Sequence, residues 1–247
     1  MKVAILISGH PIFNSTFSRI YNVLKNYDQI DWFFLLWNTT SADDRRIPAD
    51  WPTDTDQLRT QLLSMLPDNS NIAGLSVVAP PTEFNSTIKY NLTMSPPPKE
   101  LWTMFTGMKQ INTIRQQYEV ANGSYDLVVC AKGNISLSGE VDFTAIHQQL
   151  GNNVFGPMTY KHNPMPGGTE INTGFVIGST TVMDTYFNLI DNWDSYNQTS
   201  LLCQEHALIG HHLDLNNITV ADTGFNETEF VNFSFNNVHI ARPGKSV

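Results

Sequence analysis

The chain has 247 residues, a length that suits one large domain or two small ones. Hydrophobic residues make up 41% and aromatic ones 11%, enough for a substantial core, whereas charged residues reach only 15% and leave the surface to Asn, Thr, Ser and Gln. A formal net charge of -9 argues against a general nucleic-acid binder, which needs a basic face to displace counterions, but leaves room for a small anionic ligand held by a few local donors.

KVAILIS opens the chain as a continuous apolar run, the pattern of a parallel strand covered on both faces. Gly9-His10-Pro11 breaks it. Phe17, Ile20, Tyr21 and Leu24 then follow the i, i+3, i+4, i+7 stripe of a helix over Thr16 to Tyr27, with Asn14, Ser15 or Thr16 as cap. DWFFLLW, Asp31 to Trp37, is a second strand, so the chain opens strand–helix–strand and predicts a right-handed crossover between parallel strands. Residues 38–55 are polar and turn-rich, a long excursion. Asp56 to Leu66 predicts a short helix ended by Pro67, and Gly74 to Ala79 a third strand.

A proline-punctuated loop follows, then the longest helix, Lys99 to about Ala121, with Leu101, Met104, Phe105, Met108, Ile111 and Tyr118 on one face and Asn122-Gly123 closing it. Tyr125 to Cys130 is a strand. Asp142 is placed to cap a short helix containing Phe143, Ile146 and Leu150. Strands are predicted at Asn153 to Phe155 and Thr173 to Gly178, and helices over Ser179 to Trp193 and Ser200 to Leu213. Ile218 to Ala221 and Val238 to Ala241 read as closing strands. With no repeat and no neutral linker, residues 1–247 read as a single α/β domain with a mainly parallel mixed sheet.

Cys130 and Cys203 are the two cysteines, read as buried, reduced thiols. The apolar run Val3 to Ile7 is too short for a signal-peptide core or a membrane span, and the Asn-x-Ser/Thr sequons, as at Asn14 and Asn85, follow from an Asn/Thr-rich surface. The expectation is a soluble, cytoplasmic protein.

Ligands of open α/β sheets bind at the carboxyl ends of strands. That rule selects Ser8-Gly9-His10-Pro11, Trp37-Asn38, Lys132-Gly133-Asn134 and the stretch around Asn172 and Thr173. The first is neither a phosphate loop nor a dinucleotide fingerprint, and a plain β–α turn is its alternative. Gly and Asn tolerate positive φ, so the alternative for Lys132-Gly133-Asn134 is a solvated turn. Trp37, Trp51 and Trp102 can stack on a sugar or base, though core packing is the default for large aromatics. Glu205, His206, His211 and His212 do not make a zinc site: His206 and His211 lie about 140° apart on a helix, and Glu205 and His212 about 10 Å apart along its axis.

Taken together, MKVAILISGHP, DWFFLLWN, YDLVVCAKGN, NTGFVIGSTTVMDTY and QEHALIGHHL resemble the motifs of GT-A-type glycosyltransferase-like proteins of large viruses, phages and bacterial polysaccharide loci. The resemblance runs over most of the chain and implies a GT-A-like fold, a nucleotide-sugar donor and a carbohydrate or glycan acceptor; the charge and the short apolar run add the expectation of no nucleic acid and no membrane span. Ser8, Gly9 and His10, with Trp37 and Asn38, would meet the nucleotide-sugar, Lys132 and Asn134 the diphosphate, and Asn172 and Thr173 the sugar side. Glu205 would act as general base or acceptor orienter, with an exposed helix glutamate as the alternative and Glu170 and Asp222 as competitors.

The departures from that pattern fall on charge. Ile12 stands where the family tends to carry Arg, Thr173 where it carries Asp, and Cys130 to Asn134 replace an Arg-x-Arg-x-Asp-like run. GT-A enzymes commonly hold Mn²⁺ or Mg²⁺ on carboxylates, and Asn134 in the usual metal-ligand place offers only a neutral carbonyl oxygen, so a tightly held metal is not expected, with weaker Mn²⁺ or Mg²⁺ binding as the alternative. The Lys132 ammonium is then the alternative charge for a departing diphosphate. A catalytically degenerate nucleotide- or sugar-binding module and, behind it, a structural partner protein are the competing readings.

Overall fold

The computed structural model describes residues 1–10, 24–38, 54–84, 98–132, 141–156, 171, 174–197 and 205–221. Among them, seven strands form one twisted sheet: β1 (Lys2–Gly9), β3 (Gln29–Trp37), β4 (Ser70–Val78), β5 (Leu127–Ala131), β7 (Asn153–Phe155), β8 (Phe175–Gly178) and β9 (Thr219–Ala221), in the order β4-β3-β1-β5-β8-β7-β9. Six point the same way and β8 alone runs antiparallel, so the sheet is mixed and mainly parallel, as expected. A two-residue strand β2 (Leu24–Lys25) pairs separately with β6 (Val141–Asp142).

Side chains of a strand alternate between faces, and both faces here are apolar. Val3, Ile5 and Ile7 of β1, with Trp32 and Phe34 of β3 and Val129 of β5, face one layer. That layer holds α1 (Thr55–Ser64) through Leu58 and Leu62, and α3 (Phe143–His147) through Phe143 and Ile146. Ala4 and Leu6, with Phe33, Leu35, Val128 and Cys130, face the other layer. It contains α2 (Pro98–Asn122), α4 (Thr180–Phe187), a 3₁₀ turn (Asn188–Asn192), α5 (Trp193–Asn197) and α6 (Glu205–Leu215). The result is a Rossmann-like arrangement with helices on both faces of the sheet.

Caps set several boundaries. The Asp54 side chain accepts from the backbone N–H groups of Asp56 and Gln57 and starts α1. Asp142 does the same for Ala145 and starts α3, as its position in the sequence predicts.

Two predicted elements are corrected. The helix predicted to reach Tyr27 does not: Leu24–Lys25 is extended, and Asn26 takes a left-handed φ of 61°, a conformation Asn tolerates and a helix does not continue through. Leu24 is buried by pairing with Val141 rather than by a helical stripe. The earlier part of that helix lies outside the described residues. The single helix predicted over Ser179 to Trp193 is instead α4, the 3₁₀ turn and α5, which bury Phe187, Leu189, Trp193 and Tyr196 in turn. The predicted strand Val238 to Ala241 and Cys203 are outside the described residues.

Two buried polar networks fasten the layers. Arg115 of α2 is fully buried, and its guanidinium donates to Asn112 Oδ1 at 2.9 Å, to Glu119 Oε2 at 2.6 Å and to Asp184 Oδ1 of α4. Asp31 at the start of β3 is also fully buried and accepts from Gln29, Asn71 and, at 2.7 Å, the Tyr125 hydroxyl. Buried charges are tolerated when they are paired and hydrogen-bonded in this way.

Candidate functional site

Strand order locates the crevice. The chain runs outward through β1, β3 and β4, then returns so that β5 lies on the other side of β1. The boundary between β1 and β5 is therefore the topological switch point, where loops leaving the carboxyl ends diverge. Ser8, Gly9 and His10 leave from β1 there, and Lys132 from β5.

Pairing of β1 with β5 runs in register from Val3–Leu127 to Leu6–Cys130, and Ser8 and Lys132 each lie two residues beyond the last paired place. By alternation, Ser8, Trp37 and Lys132 share parity with Leu6, Leu35 and Cys130, so all three belong to the face covered by α2, α4 and α6. The α2 helix approaches closely at Gly107: a methyl group built there would lie 3.7 Å from Ser8 Cβ, Ser8 Oγ and Trp37 Cζ2. The exposed His10 ring stands edge-on to Trp37 with centroids 4.7 Å apart. Asn38 continues the β3–β4 pairing, its N–H donating to the Val78 carbonyl at 2.8 Å, and its side chain is exposed at the rim.

Gly9 is the turning point of this edge. Its φ of +118° is one that side chains rarely adopt, and among the described residues no atom lies within 4 Å of where a Cβ would be. The backbone therefore turns there, at a buried position.

Lys132 and Glu205 meet in this crevice. The Lys132 backbone N–H donates to the Gly174 carbonyl at 3.0 Å, extending the β5–β8 pairing by one place. Its ammonium donates to Glu205 Oε1 at 2.6 Å. The Glu205 side chain is only 15% exposed and that of Lys132 30%, so the exposed-glutamate alternative does not hold. Beneath the pair lies the Cys130 thiol, whose pKa burial pushes up to about 12, partly countered by the Lys132 charge. It is an inert core thiol, as expected.

Glu205 is held because α6 is held. It opens the helix, where an anion suits the dipole. His206 Nδ1 bonds the Ile171 carbonyl at 2.9 Å. His212 is buried, with Nε2 donating to the Thr185 carbonyl at 2.7 Å and Nδ1 accepting from the Tyr196 hydroxyl at 2.6 Å. Burial holds its pKa below the usual histidine value. His206 and His212 thus tie the helix to its neighbours.

Ser8, Gly9, His10, Trp37, Asn38, Lys132 and Glu205 thus gather along one edge of the sheet. Asn134, Asn172 and Thr173 lie outside the described residues, as do Glu170 and Asp222, while Lys132 and Gly174 belong to this edge. Gly107 is the contributor that sequence reasoning missed; a lone glycine inside an otherwise regular helix was its signal.

No protein-family model and no curated protein matches the chain. Among the described residues, no group of three or more His, Cys, Asp or Glu side chains could hold a metal ion, and no helix is long and apolar enough to cross a membrane. The Glu205 carboxylate is bonded to an ammonium, so the donor set among the described residues does not fit a divalent cation.

Proposed function

We propose that the chain is a GT-A-like glycosyltransferase that takes a sugar from a nucleotide-sugar donor to an acceptor hydroxyl. The observation that carries this reading is the Lys132 ammonium at the switch-point crevice, hydrogen-bonded to Glu205 and bordered by the Ser8-Gly9-His10 turn. The mainly parallel sheet with one reversed strand is compatible with the motif resemblance. Ser8, Gly9, His10, Trp37 and Asn38 form the nucleotide-sugar edge, and Lys132 meets the diphosphate. In the reaction, the acceptor oxygen bonds to the anomeric carbon, the bond from that carbon to the diphosphate breaks, and the leaving diphosphate keeps the electron pair beside the ammonium. The acceptor proton passes to a carboxylate, for which Glu205 is the nominated group. Asn134, Asn172 and Thr173 are assigned to the diphosphate and sugar sides on the resemblance alone.

A catalytically degenerate binding module with the same fold is the second reading. It is favoured by Asn134, an amide where the resembled family carries a carboxylate.

A thermal-shift panel of nucleoside diphosphates and their sugars, with donor hydrolysis assayed alongside, tests both. A ligand at 100-fold over its Kd adds ~2.7 kcal/mol of stability. A shift with turnover is the expected result; a shift without turnover selects the binding module; no shift with any ligand defeats both readings.

A further inference from the structure

We infer that Glu205 is a specificity-determining residue that limits how much negative charge the crevice accepts, and so selects an esterified diphosphate over a free one. The inference rests on Lys132 being the diphosphate's cation. An ammonium has three donors and no acceptor. One of those donors is engaged by Glu205 Oε1 at 2.6 Å, and the carboxylate is largely buried. The helix that carries it is tied through His206 to Ile171 and through His212 to Thr185 and Tyr196, so the Glu205 backbone stays beside the ammonium.

The Lys132–Glu205 pair is neutral as a unit. Any anion that reaches the ammonium therefore comes within a few ångströms of a fixed like charge, in surroundings less polarisable than bulk water. Repulsion there scales with the charge of the ligand, whereas the ammonium contact is common to every diphosphate. A terminal phosphomonoester ionises a second time near pH ~6, so at neutral pH a free nucleoside diphosphate carries about one more negative charge than the same diphosphate esterified to a sugar. The carboxylate thus penalises the free diphosphate more. The chain's net charge of -9 acts in the same direction over longer range. For a transferase the consequence is that the spent nucleotide is held less tightly than the donor.

Isothermal titration of the full chain at fixed ionic strength tests this. The probes are two pairs, UDP with UDP-glucose and GDP with GDP-mannose, titrated into wild type and Glu205→Gln. Within a pair, the ratio of the free diphosphate's Kd to the sugar ester's should fall by roughly tenfold in Glu205→Gln, because the free diphosphate gains more. An unchanged ratio overturns the inference and leaves the donor-site reading standing. Absence of binding by all four probes to folded wild type defeats both. Should Glu205→Gln fail to fold, the wild-type series UDP-glucose, UDP and UTP decides: affinity falling with added charge supports the inference, and affinity rising with it overturns it.

Discussion

Lys132 and Glu205, 73 residues apart in sequence, form a 2.6 Å ion pair at the carboxyl edge of the sheet. One arrives on the end of a central strand and the other on the first turn of a helix, and neither segment signals the other. On the proposed function, Lys132→Ala removes a charge-assisted contact to the diphosphate, worth about 1.5–3 kcal/mol. Nucleotide-sugar affinity should drop tenfold or more by titration calorimetry, and the thermal midpoint of the ligand-free protein should fall as well, because Glu205, 15% exposed, loses its counter-ion. Unaltered affinity would take Lys132 out of the site.

The His212 ring predicts a pH dependence. Burial lowers its pKa in the folded state below the usual ~6.5. The unfolded chain therefore binds the proton first as pH falls, and stability must decline below about pH 6.5 toward the folded-state value. Denaturant midpoints measured between pH 5 and 7.5 should show this slope, and His212→Gln should flatten it at the expense of the Tyr196 and Thr185 bonds. An equal slope in both proteins would show that His212 does not titrate in this range.

Two glycines of the α2 layer should respond oppositely to alanine. At Gly74 a methyl group would lie 2.8 Å from the Phe33 ring and 2.9 Å from Ile114 Cγ2, both packed, so Gly74→Ala should cost about 1–3 kcal/mol through overpacking. At Gly107 the nearest atoms stand at an ordinary 3.7 Å, so Gly107→Ala should gain about 0.5–1 kcal/mol from helix propensity. Chemical denaturation distinguishes the two, and a stabilised Gly74→Ala would contradict the packing described for β4 against α2.

Arg115 offers the largest stability effect. Arg115→Ala leaves Glu119, 11% exposed, and Asp184, 31% exposed, without their guanidinium. The expected loss is about 3 kcal/mol, the lower end for a broken buried pair because Asp184 retains some water. For a chain of this size that is a drop of roughly 6–12 °C in Tm. A change under about 2 °C would mean that the network adds little.

How far the sequence reached can be argued from these same residues. Strands β1, β3 and β5 were legible because a strand covered on both faces needs an unbroken apolar run, and KVAILIS, DWFFLLW and YDLVVC are such runs. The cap at Asp142 was legible because capping is local. The stripe of Phe17, Ile20, Tyr21 and Leu24 misled at its end: Leu24 satisfies its burial by pairing with Val141, a long-range contact that periodicity cannot distinguish from a helical face. The buried Arg115 was marked only by Glu119 four residues on, a spacing that exposed helices share. The rule of carboxyl strand ends found Ser8, His10, Trp37 and Lys132, whereas the approach of Glu205 to Lys132 depends on how α6 docks, which no short window encodes.

The most direct test of the account is a crystal structure of the chain with a nucleoside diphosphate-sugar. The account predicts Lys132 Nζ within about 3 Å of a phosphate oxygen, with the nucleotide lying along Ser8, Gly9 and His10. A complex in which the diphosphate binds elsewhere while Lys132 stays on Glu205 would contradict it.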